Sequence, residues 1–280
     1  MKKISLILIG LLLAVSLIGC TNKNDANSKN SNDVINVKVG VVGEFNPQWE
    51  TINEILKKDN INIELVKFSD YVTPNRALAD KEIDLNAFQH KAFLKNDCKQ
   101  RGYSLVAIGD TTIAPLCIYN NKDKISNINE IKDGDIIAIP SDLTNGGRAL
   151  KLLEHAGIIV CDPAKGFIPT KADIIKYNTQ IEIKEAESST LAKLLPDCTA
   201  AIINGGNAIT AGLDPTKDSI YVESSNKDEN PIIADLINVI VAREEDKDNE
   251  IYKKIVEAYH TDEVKNKINE VFHGAYICAW

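Results

Sequence analysis

The sequence predicts an α/β chain built as two lobes of similar size that face each other across a hinged cleft. Three observations lead there. Apolar extended runs alternate with segments of helical spacing, in two successive sets, from residue 34 to the end. Two extended stretches, near residues 111–119 and 222–238, join the two sets. Polar turns follow several of the extended runs, where open α/β sheets take their ligands.

The chain begins with Met1-Lys2-Lys3, and Ile4 to Ile18 is then an apolar run too short for a comfortable membrane span. Leu17-Ile18-Gly19-Cys20 follows and resembles the lipobox of bacterial lipoproteins. Residues 1–19 therefore read as a secretory signal peptide, with an uncleaved anchor as the alternative. Cys20 is the expected lipidation site, and several acyl chains on one cysteine give stable anchoring where one chain is marginal. Residues 20–33 hold that cysteine and a polar tether with no apolar residue beyond Ala26, so they have nothing to bury. Such a flexible segment spans roughly 20 Å. The expected location is the extracytoplasmic face of the cell membrane.

The mature chain follows in order. Val34 to Val42 reads as a buried strand, and Asn46-Pro47 as the N-cap and first residue of a helix carrying Trp49, Ile52, Ile55 and Leu56. Ile61 to Phe68 alternates as a strand, and Ser69-Asp70 can cap a short helix near Asn75. Ile83 to Leu85 reads as a strand, Phe88 to Arg101 as a helix stopped by Gly102, and Leu105 to Ile108 as extended. The order implies parallel βαβ units. In the second set, Ala114 to Tyr119 is extended, Ile128 to Ile131 a short helix and Ile136 to Ile139 a strand. Gly146 to Ala156 is a helix stopped by Gly157. Lys171 to Lys176 reads as helical, Ile181 to Ile183 as a strand, Ser189 to Leu195 as a helix, and Ala200 to Ile203 as a strand entering the polar turn Asn204 to Asn207. Ile220 to Val222 and Ile237 to Val241 are extended. Asn249 to Tyr259 and Asp262 to Phe272 are closing helices, the second capped by Thr261 and ended by Gly274. The expected division is residues 34–112 plus 238–280 for lobe 1 and residues 113–237 for lobe 2.

The 280 residues carry a net charge of −8, and losing Lys2 and Lys3 with the signal lowers it by two more. That balance argues against nucleic acid as a partner. Beyond Cys20, the cysteines at 98, 117, 161, 198 and 278 are an odd set without Cys-x-x-Cys spacing. They read as buried or incidental thiols with room for one disulfide, and zinc spacing is absent. No Walker loop, Gly-x-Gly-x-x-Gly, Gly-x-Ser-x-Gly or His-Glu-x-x-His occurs, so no metal, cofactor or catalytic motif is expected. The histidines at 155, 260 and 273 fall on helices expected to be exposed, or at a helix end.

One stretch stands out, Ser141 to Leu150, in which two glycines precede Arg148 at the expected start of a helix. Helix N-termini and a guanidinium fork together suit a small carboxylate or phosphate. A solvated arginine on an ordinary helix is equally consistent with this stretch alone.

Longer segments carry a resemblance. Phe68-Ser69-Asp70-Tyr71-Val72-Thr73-Pro74-Asn75 is similar to "FSDYxxPN", and Glu82 to His90 resembles "EIDxNxFQH". Ile139 to Leu150 looks like "IPNDPTNxGRAL", and Gly274 to Trp280 resembles "GAxxPAW". These segments mark the NlpA/MetQ-type lipoproteins, the substrate-binding components of methionine ABC importers, and the match runs from the lipobox to Trp280.

The resemblance implies a two-lobed periplasmic-binding-protein fold of type II, no enzyme activity, L-methionine or a close derivative in the cleft, and docking onto an ABC permease with its ATPase. By motif, Arg148 grips the ligand carboxylate and Asn238 takes a polar end of the ligand. Tyr71, Phe88, His90 and Phe93 wall the side-chain pocket, where a thioether packs well against aromatic rings. The same four are also compatible with core, turn or structural roles. The chain departs from the family pattern where "INxNYA" becomes Ile203-Asn204-Gly205-Gly206-Asn207-Ala208, with glycine in place of the ligand-contacting asparagine. Asn207 substitutes for it in one reading. Another small amino acid or a methionine-containing dipeptide is the alternative ligand, and a surface enzyme the more distant alternative.

Overall fold

The computed structural model describes residues 34–280 apart from Gly274. The expected signal peptide, the lipidation site Cys20, the tether and the helix stop at Gly274 lie outside the described residues.

The first half builds parallel units. Strand β1 (Ile35–Val42) pairs in parallel with β2 (Ile61–Phe68), from Ile35 opposite Ile61 to Val42 opposite Phe68. Helix α1 (Gln48–Leu56) crosses between them and buries Trp49, Ile52 and Leu56. Its cap differs from expectation: Pro47 stands at the N-cap, and Asn46 donates its Nδ2 to the Gly43 carbonyl at 3.0 Å. Asp70 accepts the N–H groups of Val72 and Thr73 at the start of α2 (Thr73–Ala79).

Strand β3 (Leu85–His90) lies parallel to β1 on its other side, and α3 (Lys91–Arg101) follows. Phe88 to His90 are therefore strand, not the first turn of a helix, and the strand lies further on than Ile83 to Leu85. The physical reason is a buried amide network. Asn75 donates to Gln89 Oε1 and Asp97 Oδ2, both at 2.9 Å, and accepts from Asn86 at 3.0 Å and Gln89 at 2.5 Å. Asn86, Gln89 and Asn75 are almost wholly buried. Polar side chains that read as a surface turn are thus satisfied inside a strand.

Strand β4 (Leu105–Ile113) runs longer than expected and leads into the second half. There the chain forms β5 (Cys117–Asn120), β6 (Ile136–Pro140), α4 (Leu143–His155) and the hairpin β7 (Ile159–Cys161) with β8 (Ile174–Tyr177). It continues through β9 (Glu182–Ala186), α5 (Leu191–Leu194), β10 (Ala200–Ile203), α6 (Gly205–Thr210) and β11 (Ser219–Val222). Only Lys171–Asp173 of the expected helix 171–176 is helical, because Ile174 and Tyr177 turn inward as strand against β7. The expected polar turn 204–207 is instead the entry of a short helix. The chain returns through β12 (Ile237–Arg243), α7 (Glu250–Tyr259), α8 (Asp262–Phe272) and β13 (Ile277–Cys278). Thr261 caps α8, and His273 ends it in the left-handed region at φ 50°.

Two main sheets result, in the orders β13-β4-β12-β3-β1-β2 and β11-β5-β10-β6-β9, beside the two-stranded β7-β8 sheet. The chain passes between them twice, from β4 to β5 and from β11 to β12. Each sheet has its own core. Val39, Ile52, Ile255, Val264 and Ile268 pack around the first, and Ile118, Ile137, Leu150, Leu153 and Ile202 around the second. Each such side chain contributes about 1.5–3 kcal/mol on full burial. The five cysteines of the described residues are free thiols, three of them buried. His155 and His273 are exposed, whereas His260 is half-buried, bonded through Nε2 to the Asp110 carbonyl at 2.7 Å and stacked on Trp280.

Replacing Asn75 by alanine strips partners from Asn86, Gln89 and Asp97 together. It should lower the unfolding free energy in a urea titration by roughly 2–4 kcal/mol, from the usual cost of unsatisfied buried groups. A loss below about 1 kcal/mol would mean that water replaces the amide.

Candidate functional site

The stretch with the two glycines folds differently from the expectation that the helix opens at Gly146. Asp142 accepts the N–H of Asn145 at 2.9 Å and starts α4 at Leu143. The glycines sit inside the helix because its neighbours are close. A Cβ at Gly146 would stand 2.8 Å from the Pro140 carbonyl oxygen, and one at Gly147 2.8 Å from Ile168 Cα. Arg148 is then the sixth residue of α4, beyond the free N–H groups of its first turn.

Its guanidinium is 4% exposed and is already held by the chain. Nε donates to Glu223 Oε1 at 3.1 Å and Nη2 to Oε2 at 2.5 Å. Nη2 also donates to the Ala114 carbonyl at 3.3 Å, and Nη1 to Asn145 Oδ1 at 3.2 Å. The bidentate carboxylate partner is therefore Glu223 of the same chain. A guanidinium has five N–H donors, so one, on Nη1, remains without a partner among the described residues. The pairing has a clear cause: an unpaired buried cation costs several kcal/mol.

Asn145 joins the halves of the site. Its Oδ1 accepts from Arg148, from Asn204 Nδ2 at 3.0 Å and from His90 Nε2 at 3.3 Å, while its Nδ2 donates to Asp142. The tautomer of His90 follows from its other nitrogen. Nδ1 accepts the Phe93 N–H at 3.1 Å, so the proton is on Nε2. Burial pushes the His90 pKa down to about 3; the nearby Arg148 charge acts in the same direction and the Asn145 bond opposes it. His90 is thus a neutral N-cap for α3 and a donor across the cleft.

The aromatic residues cluster beside it. Tyr71 stacks on Phe88 at 5.9 Å, and Phe93 meets Tyr71, Phe88 and His90 edge-on at 6.0–6.2 Å. The Tyr71 hydroxyl accepts from Asn207 Nδ2 at 3.2 Å, a second bond between the halves. Burial raises the Tyr71 pKa, which keeps it a phenol.

Two adjoining cavities share Tyr71, Phe88 and Asn204 as walls. The larger, of about 100 Å³, is also lined by Arg148, Asn207 and Asn238. The smaller, of about 30 Å³, is also lined by His90, Phe93 and Asn145. All seven residues singled out in the sequence line one or the other. Asn238, on β12 opposite His90, has no side-chain partner among the described residues.

Several site residues were not visible in the sequence. Among the described residues, three buried side-chain polar atoms lack a partner, and two of them, Gln48 Oε1 and Asn204 Oδ1, belong to residues lining the larger cavity. Gln48 reads as an ordinary first-turn residue beside Trp49. Glu223 lies 75 positions from Arg148 and carries no local signal. Asn204 sits in the same polar turn as Asn207, with no local feature that sets it apart. Two buried acceptors, one spare guanidinium N–H and one unpartnered asparagine amide suit a small molecule that carries both an ammonium and a carboxylate. No group of three or more His, Cys, Asp or Glu suited to a metal ion exists among the described residues, and no described helix is long and apolar enough to cross a membrane.

A family model described as NlpA lipoprotein matches residues 37–280. The chain is 38% identical over 274 residues to the D-methionine-binding lipoprotein MetQ of Escherichia coli strain K12, covering 96% of this chain and 95% of that one. It superposes on a nutrient binding protein from Burkholderia cenocepacia bound to methionine with a TM-score of 0.81 at 34% identity, over 87% of this chain and all of the other. The substrate binding protein of a methionine transporter from Streptococcus pneumoniae gives a TM-score of 0.82 at 36% identity, over 88% and 96%.

His90 supplies a pH test. Its native pKa of about 3 lies below the ordinary 6.5, so between those values the unfolded state binds a proton that the native state refuses. Stability from this group is complete above pH 6.5 and falls as the pH drops, by up to ~1.4 kcal/mol per unit. Urea titrations of His90→Gln should show a shallower decline between pH 6.5 and 4 than the parent. Parallel declines would mean that His90 takes up a proton in the native state.

Proposed function

The chain belongs to the NlpA lipoprotein family, and from that premise we propose that it is an extracytoplasmic, lipid-anchored solute-binding protein that captures methionine and delivers it to an ABC permease and its ATPase. In this reading residues 1–19 are removed, Cys20 carries the lipid, and residues 20–33 tether the body. The body divides into lobe 1, residues 34–112 plus 238–280, and lobe 2, residues 113–237. The role is binding, not turnover.

The observation that carries the reading is the set of unpartnered polar groups around one cavity with an aromatic wall. The ligand carboxylate meets the remaining Nη1 N–H of Arg148 and the Asn238 amide. The ammonium meets the free oxygen of Asn204 or Gln48. The apolar side chain runs toward Tyr71, Phe88, Phe93 and His90, whose rings suit a polarisable sulfur. Glu223 neutralises Arg148, so the site as a whole suits a zwitterion better than an anion. This matches relatives named for methionine.

Calorimetry on protein stripped of ligand by unfolding and refolding should give heat with L-methionine, with D-methionine as the comparison. No heat with either enantiomer, with the sulfoxides or with methionine-containing dipeptides would remove methionine from the proposal. Two variants separate roles. Asn238→Ala should weaken binding about tenfold with the melting temperature of the empty protein unchanged, because its amide has no partner among the described residues. Arg148→Ala should abolish binding and also destabilise the fold by roughly 3–5 kcal/mol, since Glu223 is left buried and unpaired.

A further inference from the structure

The departure from the family pattern at residues 205–207 has a structural counterpart elsewhere in the chain. Gly205 and Gly206 open α6 beside the larger cavity. The space a side chain there would fill is taken by Tyr276, which comes from the segment after α8. A Cβ at Gly205 would stand 3.0 Å from Tyr276 Cε1, and one at Gly206 would stand 3.2 Å from the Tyr276 hydroxyl oxygen. Both contacts are tighter than side chains ordinarily make, so the ring fits because both residues are glycine.

Tyr276 is held in place from behind. Its ring stacks on Phe272 of α8 at 4.3 Å and an interplanar angle of 16°. It lines the cavity together with Asn204, Asn207 and Asn238. Its hydroxyl has no hydrogen-bond partner among the described residues. Burial raises its pKa, so the group is a neutral phenol able both to donate and to accept.

We propose that Tyr276 is a specificity-determining residue of this site, its hydroxyl standing where an asparagine at position 206 would reach in the family pattern and making the polar contact to the ligand that this asparagine would make. The pair Gly205-Gly206 is then an adaptation that admits the tyrosine, not the loss of a contact. Recognition at this point comes from the other lobe: the hydroxyl is carried by the segment packed on α8, whereas position 206 belongs to α6. A phenol is fixed by one stacked ring and swings less than an amide on a flexible stem, so the pocket gains a stiffer wall with a donor–acceptor at its tip. The inference rests on the binding role proposed above.

Three variants test it: Tyr276→Phe, Gly206→Asn, and Gly206→Asn combined with Tyr276→Ala. Each is titrated with L-methionine by calorimetry and melted without ligand. The small molecule released from protein purified without refolding is also quantified by mass spectrometry. Tyr276→Phe should bind about five- to tenfold more weakly, the usual effect of one neutral hydrogen bond, with an unchanged melting temperature. Gly206→Asn should lose more, because the amide meets the ring. The double variant should recover to within about threefold of the parent, since the asparagine regains the space. Parent-like affinity in Tyr276→Phe, or a double variant no better than Gly206→Asn, overturns the proposal. If the parent ignores L-methionine, the methionine reading fails by itself, and the released molecule decides here: less of it in Tyr276→Phe supports the proposal, and an equal amount overturns it. A parent that neither binds L-methionine nor carries any small molecule overturns both.

Discussion

A guanidinium enclosed almost wholly by protein sets the terms for the rest of the site. Arg148 cannot keep its charge in such surroundings unless most of its N–H groups find acceptors and a negative charge lies close. Glu223 supplies the charge, the Ala114 carbonyl and Asn145 supply further acceptors, and each of these is fixed in turn. Glu223 also accepts the Leu116 N–H at 3.0 Å, and its own N–H reaches the Leu116 carbonyl at 2.8 Å. Asn145 is held by Asp142, which caps α4. The ion pair therefore ties together the helix, the start of β5 and the end of β11.

The other wall is built on a different principle. The residues of β3 alternate between two jobs. Asn86 and Gln89 point into the amide network around Asn75, whereas Phe88 belongs to the aromatic wall. His90 ends the strand by capping α3 and donating across to Asn145. Satisfaction of the buried amides thus fixes the rings, and the rings shape the pocket without any charge of their own. On the proposed binding role, packing geometry and not electrostatics sets the selectivity on that side. An apolar wall discriminates a single methylene by only about 1–3 kcal/mol.

The parts of the fold legible in the sequence were those with local periodicity or caps. The β-branched runs of β1, β2 and β12 and the capped helices α7 and α8 could be read directly. The misreadings share a cause. Asn86 to His90 does not read as strand because its amides are satisfied by Asn75, on the neighbouring helix, and by each other. Gly146 and Gly147 read as the start of the helix, not its interior, because the backbone atoms that require them, at Pro140 and Ile168, are invisible in a local window. Site residues divide the same way. Arg148, Phe88 and His90 sit in motif segments, and Tyr276 stands at a variable position of the closing one, but Gln48 reaches the cavity and Glu223 reaches Arg148 through tertiary contacts alone. A glycine in place of a polar residue is a readable sign that something else fills the space; what fills it is not readable.

The paired crossings between the sheets have a mechanical consequence. Strands β4 and β12 are neighbours in one sheet, and β5 and β11 are neighbours in the other, so the two links run side by side as a double strap. Glu223 clasps both links at one point through Leu116, and Arg148 hangs from that clasp. The cation therefore stands at the pivot, while the aromatic rings and His90 ride on a jaw. A molecule gripped at a pivot gains little there from closure, because that contact is nearly the same at any opening angle. On the proposed binding role, the free energy that favours the shut form comes from the far jaw, from rings and from the bonds His90–Asn145 and Tyr71–Asn207. In the binding role proposed above, charge selects what enters, and the fit of the apolar end decides whether the cleft stays shut.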